Sequence, residues 1–404
     1  MAQVHITLEM EVLKGLFTSD GKDKAFARLL ETILNQVLEA QVTERIGAAP
    51  YERSNTREAY RNGSRARGFT TRVGSLRLNV PRLRNGEFTT ELFTRYQRSE
   101  QALVLAMMEM VINGVSTRKV QAVTKELCGE SFSKSTVSNL CKALDPVVEA
   151  FRNRPLEKHY PFVIVDAFYT KVRENKRVSS KGILVAMAVN EEGYREVIGF
   201  EAARTETEVS WSEFFSSLQS RGLKDVDTVI SDDHKGLVLA IRKHFQRASW
   251  QRCQTHFSRN ILDKTPESLQ KEVLEHLHSL YEARDMKSAR ACLQEIIERY
   301  EKTLPEAVLL IEEAFDDITA IIALPKKYRK RLRTTNSIER LNEEIRRRER
   351  VIRIFPNKES LIRLMGALLM EQDERWSCGR KYLDMAEYYE FKGNGSEIKK
   401  EKVA

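Results

Sequence analysis

Three carboxylates stand where chemistry could use them. Asp166 closes the apolar run FVIVD, Asp232 closes TVISD, and Glu339 lies in the polar helical stretch TTNSIERLNEEIRRRERVI. A carboxylate at the end of a buried strand is costly unless something positive neutralises it. Two such strand ends beside a third acid on a helix would gather oxygen ligands, the set that hard divalent cations prefer. Two cations about 4 Å apart can activate an attacking oxygen and stabilise a leaving oxygen at phosphorus. Each acid also has a plain structural reading. Asp166 could start a turn, Asp232 could cap a helix, and Glu339 could pair with Arg346 two helical turns on. Asp233, directly after Asp232, competes for the same role.

The surrounding pattern must bring these acids together. PFVIVDAFYTKV, GILVAMAVN and REVIGFEA are apolar, β-prone runs with short polar joints. The helical TEVSWSEFFSSLQSRG follows, placing Trp211, Phe214, Phe215 and Leu218 inward. Then come the strand DTVISD, the helix GLVLAIRKHF, the strand ASWQRC and a helix near THFSRNIL. This predicts a mixed α/β sheet with helices on its faces. The order β-β-β-α-β-α-β-α is that of the ribonuclease H-like fold. Residues 264–326 hold no strand-like run, and Leu269, Val273, Leu277 and Leu280 repeat at helical spacing, so an all-helical insertion is expected there. Past Pro325, Ile338, Leu341, Ile345 and Ile352 mark the buried stripe of a capped helix. Glu339 sits one position off that stripe, with Asn336, Asn342 and Arg346 on its side.

The N-terminal third reads differently. Phe26, Leu29, Leu30, Ile33, Leu34, Val37, Leu38, Val42 and Ile46 form one helical stripe, ended by Gly47 and Pro50. Such a stripe suits packing on a second copy or on its own chain. Residues 51–86 are arginine-rich, including Arg61, Arg65 and Arg67, and contain the alternating strand SLRLNV; this suits phosphate and minor-groove contacts. In GVSTRKVQAVTKELCGESFSKSTVSNLCKALDP, Ser116 and Ser133 are N-caps of two short helices, with Gly129 ending the first. The second helix turns Val137, Leu140, Cys141 and Leu144 inward and leaves Lys134, Ser135, Ser138, Asn139 and Lys142 outward. That is the pattern of a helix-turn-helix. Arg346, Arg347, Arg348, Arg350 and Arg353 form a further basic band.

A formal charge of +9, from 67 Lys and Arg against 58 Asp and Glu, agrees with a polyanionic partner. No window approaches the roughly 18 uninterrupted apolar residues of a membrane span. The first residues lack a signal-peptide pattern, so an intracellular, cytoplasmic chain is expected. Five scattered cysteines argue for reduced thiols.

The segments DAFYTKVR (166–173), SDDHKGL (231–237), QRCQTHFSRN (251–260), TTNSIERLNEEIRRR (334–348), YRNG (60–63), GVSTRKV (114–120) and FPN (355–357) closely resemble the Mutator-type transposases of bacterial insertion sequences. The matches run in order from about Tyr51 to Trp376. The resemblance implies a DDE triad on a ribonuclease H-like core with a helical insertion, its acids falling on Asp166, Asp232 and Glu339. It implies two Mg²⁺ or Mn²⁺ ions, double-stranded DNA ends and target as partners, a homodimer, and a copy-out, paste-in route at the bacterial nucleoid. Within the same pattern, Asp232 aligns as the ligand and Asp233 is expected to cap the next helix. His234 would touch the scissile phosphate or support a ligand. Cys253 and His256 form half of a zinc ligand set, but four ligands are needed, so hydrogen bonding is the favoured reading and zinc is not expected; Asn336 is grouped with these supporting residues.

The expected organisation is an N-terminal helical region (1–50), an arginine-rich DNA-binding region (51–110), a helix-turn-helix (111–155), the first part of the core (156–263), the insertion (264–326), the last part of the core (327–375) and a C-terminal tail (376–404), polar and disordered after Phe391. Two rival functions share these features. A DNA-binding regulator would bind without cutting, and a ribonuclease H-like nuclease would cut without joining ends.

Overall fold

The computed structural model describes residues 6–401 apart from 16–21, 54, 56, 72, 85–87, 89, 91, 93–100 and 129–131. The chain divides into two compact units, residues 1–143 and 144–404.

The first unit contains α1 (Met10–Gly15), α2 (Lys22–Ile46), the strands β1 (Arg61–Thr71) and β2 (Gly74–Leu83), then α3 (Gln101–Ile112), α4 (Thr117–Cys128) and α5 (Lys134–Cys141). Alternation in β2 sends Leu76, Leu78 and Val80 inward, where they meet Leu38 of α2 and Phe69 of β1. The stripe on α2 therefore packs on this chain's own hairpin, with Phe26 left 44% exposed beyond it. Side chains lock the edge strand to the helix: the Arg77 N–H donates to Glu31 at 2.9 Å and the Asn79 N–H to Asn35 at 2.8 Å. Gly47 ends α2 at φ 71°, a left-handed conformation that costs glycine little. The three helices α3, α4 and α5 close on Leu103, Met107, Val120, Phe132 and Val137. Ser133 caps α5, accepting from the Thr136 N–H. Ser116 accepts from the Lys119 N–H at 3.3 Å in front of α4. Gly129, expected to end α4, lies outside the described residues.

The second unit opens with α6 (Asp145–Arg152), β3 (Phe162–Glu174), β4 (Arg177–Val189), β5 (Arg195–Ala203), α7 (Glu208–Ser220), β6 (Thr228–Ser231), α8 (Lys235–His244), β7 (Ser249–Arg252) and α9 (Gln254–Leu262). It continues with α10 (Glu267–Tyr281), α11 (Met286–Tyr300), α12 (Pro305–Thr319), α13 (Lys326–Leu332), α14 (Asn336–Ile352), α15 (Lys358–Ser377) and α16 (Ala386–Glu401). The architecture is mixed α/β. Its five strands lie in the order β5-β4-β3-β6-β7. The first three pair antiparallel, whereas β6 joins β3, and β7 joins β6, in parallel. The near-continuous burial of β4 follows from helices on both faces. On one face, Trp211, Phe214 and Phe215 of α7 and Leu237 and Ile241 of α8 pack against Val163, Leu184 and Val229. The insertion α10–α12 builds its own core with Phe257 and Ile261 of α9. Gln251 of β7 ties that core to the sheet, donating to the Ile318 carbonyl at 3.1 Å and accepting from the Ile321 N–H at 3.0 Å.

Two expectations are corrected here. Asp166 does not end its strand: β3 runs on to Glu174, and what stops beside Asp166 is the parallel ladder to β6. The tail after Phe391 is helical, α16 reaching Glu401. Tyr388 explains its anchoring: the ring lies 4.9 Å from Phe162, and its hydroxyl donates to Asp227, which Lys392 also contacts at 2.7 Å.

Candidate active site

Parallel pairing sets the first two acids side by side. Phe162, Val163 and Ile164 pair with Thr228, Val229 and Ile230, and the same register carried two residues further puts Asp166 level with Asp232. Neighbouring strands lie about 4.8 Å apart, so the carboxylates sit close enough to repel. Helix α14 brings the third acid. Three contacts hold α14 on β3: Asn342 donates to Asp166 Oδ2 at 2.7 Å, Thr170 donates to Glu349, and Phe355 bonds the β3 backbone at Lys171 and Arg173. The FPN segment thus extends the sheet edge for one bridge and fixes the helix that carries Glu339.

Burial and mutual charge mark the acids. Asp166 accepts the Ala167 N–H at 2.8 Å, yet burial, and then the charges of Asp232 and Glu339, push its carboxyl up to about 7. Asp232 is also pushed upward, chiefly by burial, with His256 and His234 opposing the shift. Glu339 Oε1 lies 3.0 Å from the Thr335 hydroxyl and 3.6 Å from His256 Nε2. Thr335 starts α14 without capping it; its hydroxyl faces Glu339 and, at 3.3 Å, Cys253 Sγ. The expected side-chain cap is absent because this hydroxyl is committed to the site. His256 is raised to about 9, first by its interaction with Cys253 and then by the nearby carboxylates, against the effect of burial. Donor atoms of Cys253, His256 and Glu339 all lie within 4.8 Å of one another.

Asp233 is engaged elsewhere. Its carboxylate pairs with Arg252 at 2.9 Å, and that guanidinium lies 4.8 Å from the Phe257 ring centre. It does not cap α8: the cap position is His234, with no side-chain cap bond. His234 Nδ1 faces Glu206 at 3.5 Å. Glu206, also pushed upward first by burial, accepts from Trp211 Nε1 at 3.2 Å and feels Asp232. Sequence reasoning missed this fourth acid. It lies in a polar joint after β5, where neither periodicity nor a motif distinguishes it. Asn336 is exposed and accepts from the Thr255 hydroxyl at 3.3 Å.

The basic residues sort unevenly. Lys134, Ser135, Ser138, Asn139 and Lys142 are all exposed along α5 and its end, and Arg65 is exposed on β1. Arg67 is partly buried on the same strand. Arg61 spends its guanidinium internally, donating to the Ala48 carbonyl at 3.0 Å and to Thr43 at 2.6 Å. Arg348 is buried at 5% exposure between Glu344 and Glu371. Neither guanidinium is available to a phosphate, which corrects their expected roles. The i, i+4 partner Glu344 draws Arg348 inward. Arg347 is exposed but also pairs with Glu344 at 2.9 Å; Arg346 and Arg353 are exposed.

A family described as "Transposase, Mutator family" matches residues 1–379. The chain belongs to the Mutator family of transposases. It is 45% identical over 388 residues to the transposase for insertion sequence element IS256 in transposon Tn4001 of Staphylococcus aureus, covering 95% of this chain and 99% of that relative. It is 44% identical over 364 residues to the transposase for insertion sequence element ISRM5 of Rhizobium meliloti, covering 90% and 92%. A solved Mos1 transposase paired-end complex with left transposon end aligns with 39% of this chain and 60% of that one, at 10% identity and a TM-score of 0.15. Among the described residues of this Mutator-family chain, no helix is long and apolar enough to cross a membrane.

Proposed function

We propose that this protein is the transposase of an insertion sequence, cutting DNA at the ends of its element and joining the freed ends to new DNA. Family membership over residues 1–379 gives the class. The observation that carries the chemistry is the register of β3 and β6, which aligns Asp166 with Asp232 beneath the helix bearing Glu339. The strand order, antiparallel on one side of β3 and parallel on the other, supports a ribonuclease H-like core.

The residues fit divalent cations. Asp166 and Asp232 are both pushed toward their protonated forms, so positive charge placed between them would relieve the strain. Asn342 Oδ1 adds a buried oxygen with no hydrogen-bond partner among the described residues. Asp166, Asp232 and Glu339 would hold two Mg²⁺ or Mn²⁺ ions, which when bound supply charge at the phosphate and acidify water. Asn342 fixes the Asp166 carboxylate, while Thr335 and His256 fix Glu339. His234, beside Glu206, is poised to meet a phosphate oxygen.

The reaction needs no covalent link to protein. A water oxygen attacks phosphorus and the bond to the leaving oxygen breaks, freeing a 3′-hydroxyl. That hydroxyl then attacks a second phosphodiester in line, so one phosphodiester bond forms as another breaks. DNA recognition falls to the exposed face of α5 and to Arg65 and Arg67, with Arg346, Arg347 and Arg353 contacting phosphates. Two copies of the chain would hold two ends.

The test is nicking of a duplex carrying the element's inverted end, with Mg²⁺. Asp166→Ala, Asp232→Ala and Glu339→Ala should each abolish the nick and keep end binding. Wild-type protein that binds but never cuts would favour the regulator, and cutting without joining would favour the nuclease.

A further inference from the structure

A cleft of about 920 Å³ opens in the second unit, walled by the starts of α9 and α14, by α10, and by the segment after α15. Its charge is one-sided. Arg195, Lys330, Arg331, Arg340, Arg380 and Lys381 all line it. Among the described residues, none of these six has a carboxylate within ion-pair distance, whereas Arg333 at the rim pairs with Glu282. Several instead lie against rings: Arg195 sits 4.5 Å from the centres of both Trp376 and Tyr382, and Arg331 lies 5.0 Å from Tyr382. Burial, together with the charges of Arg331 and Arg340, holds Arg195 below its usual range. Six cations facing one lining carboxylate, Glu282, which is itself paired with Arg333, repel one another, and this favours an anionic guest.

The guest is more than a phosphodiester backbone. Gln254 lines the same cleft and is only 2% exposed; its amide donates to the Ile318 carbonyl at 2.8 Å, but its Oε1 accepts nothing from the described residues. A buried acceptor of this kind calls for a donor, which a backbone phosphodiester lacks and a nucleobase amino group has. The size is that of a small-ligand pocket. A volume of about 920 Å³ suits a few nucleotides of one strand better than a length of duplex. The position is equally specific. Thr255 and Asn336 meet across the cleft wall; Thr255 precedes His256, and Asn336 stands three residues, about 4.5 Å of helix rise, before Glu339.

We propose that this cleft binds an unpaired DNA strand where it leaves the three acids, its phosphates on the arginine and lysine wall and a base against Gln254. The assignment rests on the transposase reading above and adds the path of one strand. A basic groove tracking a backbone is the general device for single-strand binding.

The experiment uses the full chain in EDTA, so it does not depend on cleavage and remains readable if the catalytic assignment fails. Fluorescence anisotropy is measured with a labelled 12-nucleotide oligothymidylate and, separately, with a 12-base-pair duplex of arbitrary sequence. Arg340→Ala and the pair Arg380→Ala/Lys381→Ala are compared with wild type, folding being checked by thermal melts. Because these side chains have no ion-pair partners among the described residues, the melts should be unchanged. Oligothymidylate binding should weaken at least tenfold in the triple variant that combines Arg340→Ala with Arg380→Ala/Lys381→Ala, with a shallower salt dependence, while duplex binding changes less than twofold. In Gln254→Leu, preference for oligodeoxycytidylate, which offers an amino group, over oligothymidylate should be reduced. Oligothymidylate affinity unchanged in the triple variant, or single-strand and duplex binding falling in parallel, would overturn the proposal.

Discussion

Asn342 donates a 2.7 Å hydrogen bond to Asp166, joining helix α14 to the central strand at the acid itself. The bond orients a carboxylate without neutralising it. Groups that orient metal ligands typically contribute 10–100-fold to affinity or activity. Asn342→Ala should therefore lower the nicking rate by about that factor and raise the Mg²⁺ concentration needed for half-maximal rate. Asn342→Asp should do worse, because it sets a further negative charge directly beside Asp166. A magnesium titration of the nicking rate measures both.

The adjacent aspartates should separate cleanly. Asp233 faces Arg252 and is partly solvated, so Asp233→Ala should keep nicking within about tenfold of wild type and cost up to about 1 kcal/mol of stability. Asp232→Ala should leave no detectable nick. Single-turnover assays on the two variants decide it; an inactive Asp233 variant beside an active Asp232 variant would reverse the assignment.

Asp166 should make the metal-free protein less stable as pH rises. Its folded carboxyl titrates near 7, above the ordinary aspartate range. Between about pH 4 and 7 the folded state therefore binds more protons than the unfolded state, and stability falls as pH rises through that window. Asp166→Asn cannot ionise. It should be more stable than wild type at pH 8, by roughly 1–3 kcal/mol after allowing for relaxation of the site, and close to wild type at pH 4. Added Mg²⁺ should stabilise wild type at pH 8 and barely affect the variant. Urea melts at the two pH values, with and without metal, read both effects.

Gly236 should tolerate no side chain. A Cβ there would lie 2.7 Å from the Glu208 nitrogen and 2.9 Å from the Thr207 carbonyl carbon, so α8 would have to move from the start of α7. That shift would carry His234, and with it the loop of Asp232. Gly236→Ala should lower the melting temperature by several degrees and reduce nicking more than the lost stability accounts for. Calorimetry paired with nicking assays below the melting transition checks this.

Much of the core was legible because its signals are local. Apolar runs such as FVIVD and GILVAMAV, the Trp211–Leu218 stripe and the helical spacing of the insertion each state their own period. The fates of Arg61 and Arg348 were not legible, since burial of a charged side chain depends on where a partner carbonyl or carboxylate arrives in space. The partner of the α2 stripe was open for the same reason: an apolar face does not name what covers it. Glu206 and the six-cation cleft share a different obscurity. Their members come from distant joints and helix ends, and only the folded chain gathers them.

The most direct test of the site is anomalous diffraction from Mn²⁺ bound to the protein on an uncut DNA end. Peaks touching Asp166, Asp232 and Glu339 together, with Asp233 still on Arg252, are the predicted result. Manganese ligated by Asp233, or density on His256 and Cys253 with Asp166 left bare, would contradict it.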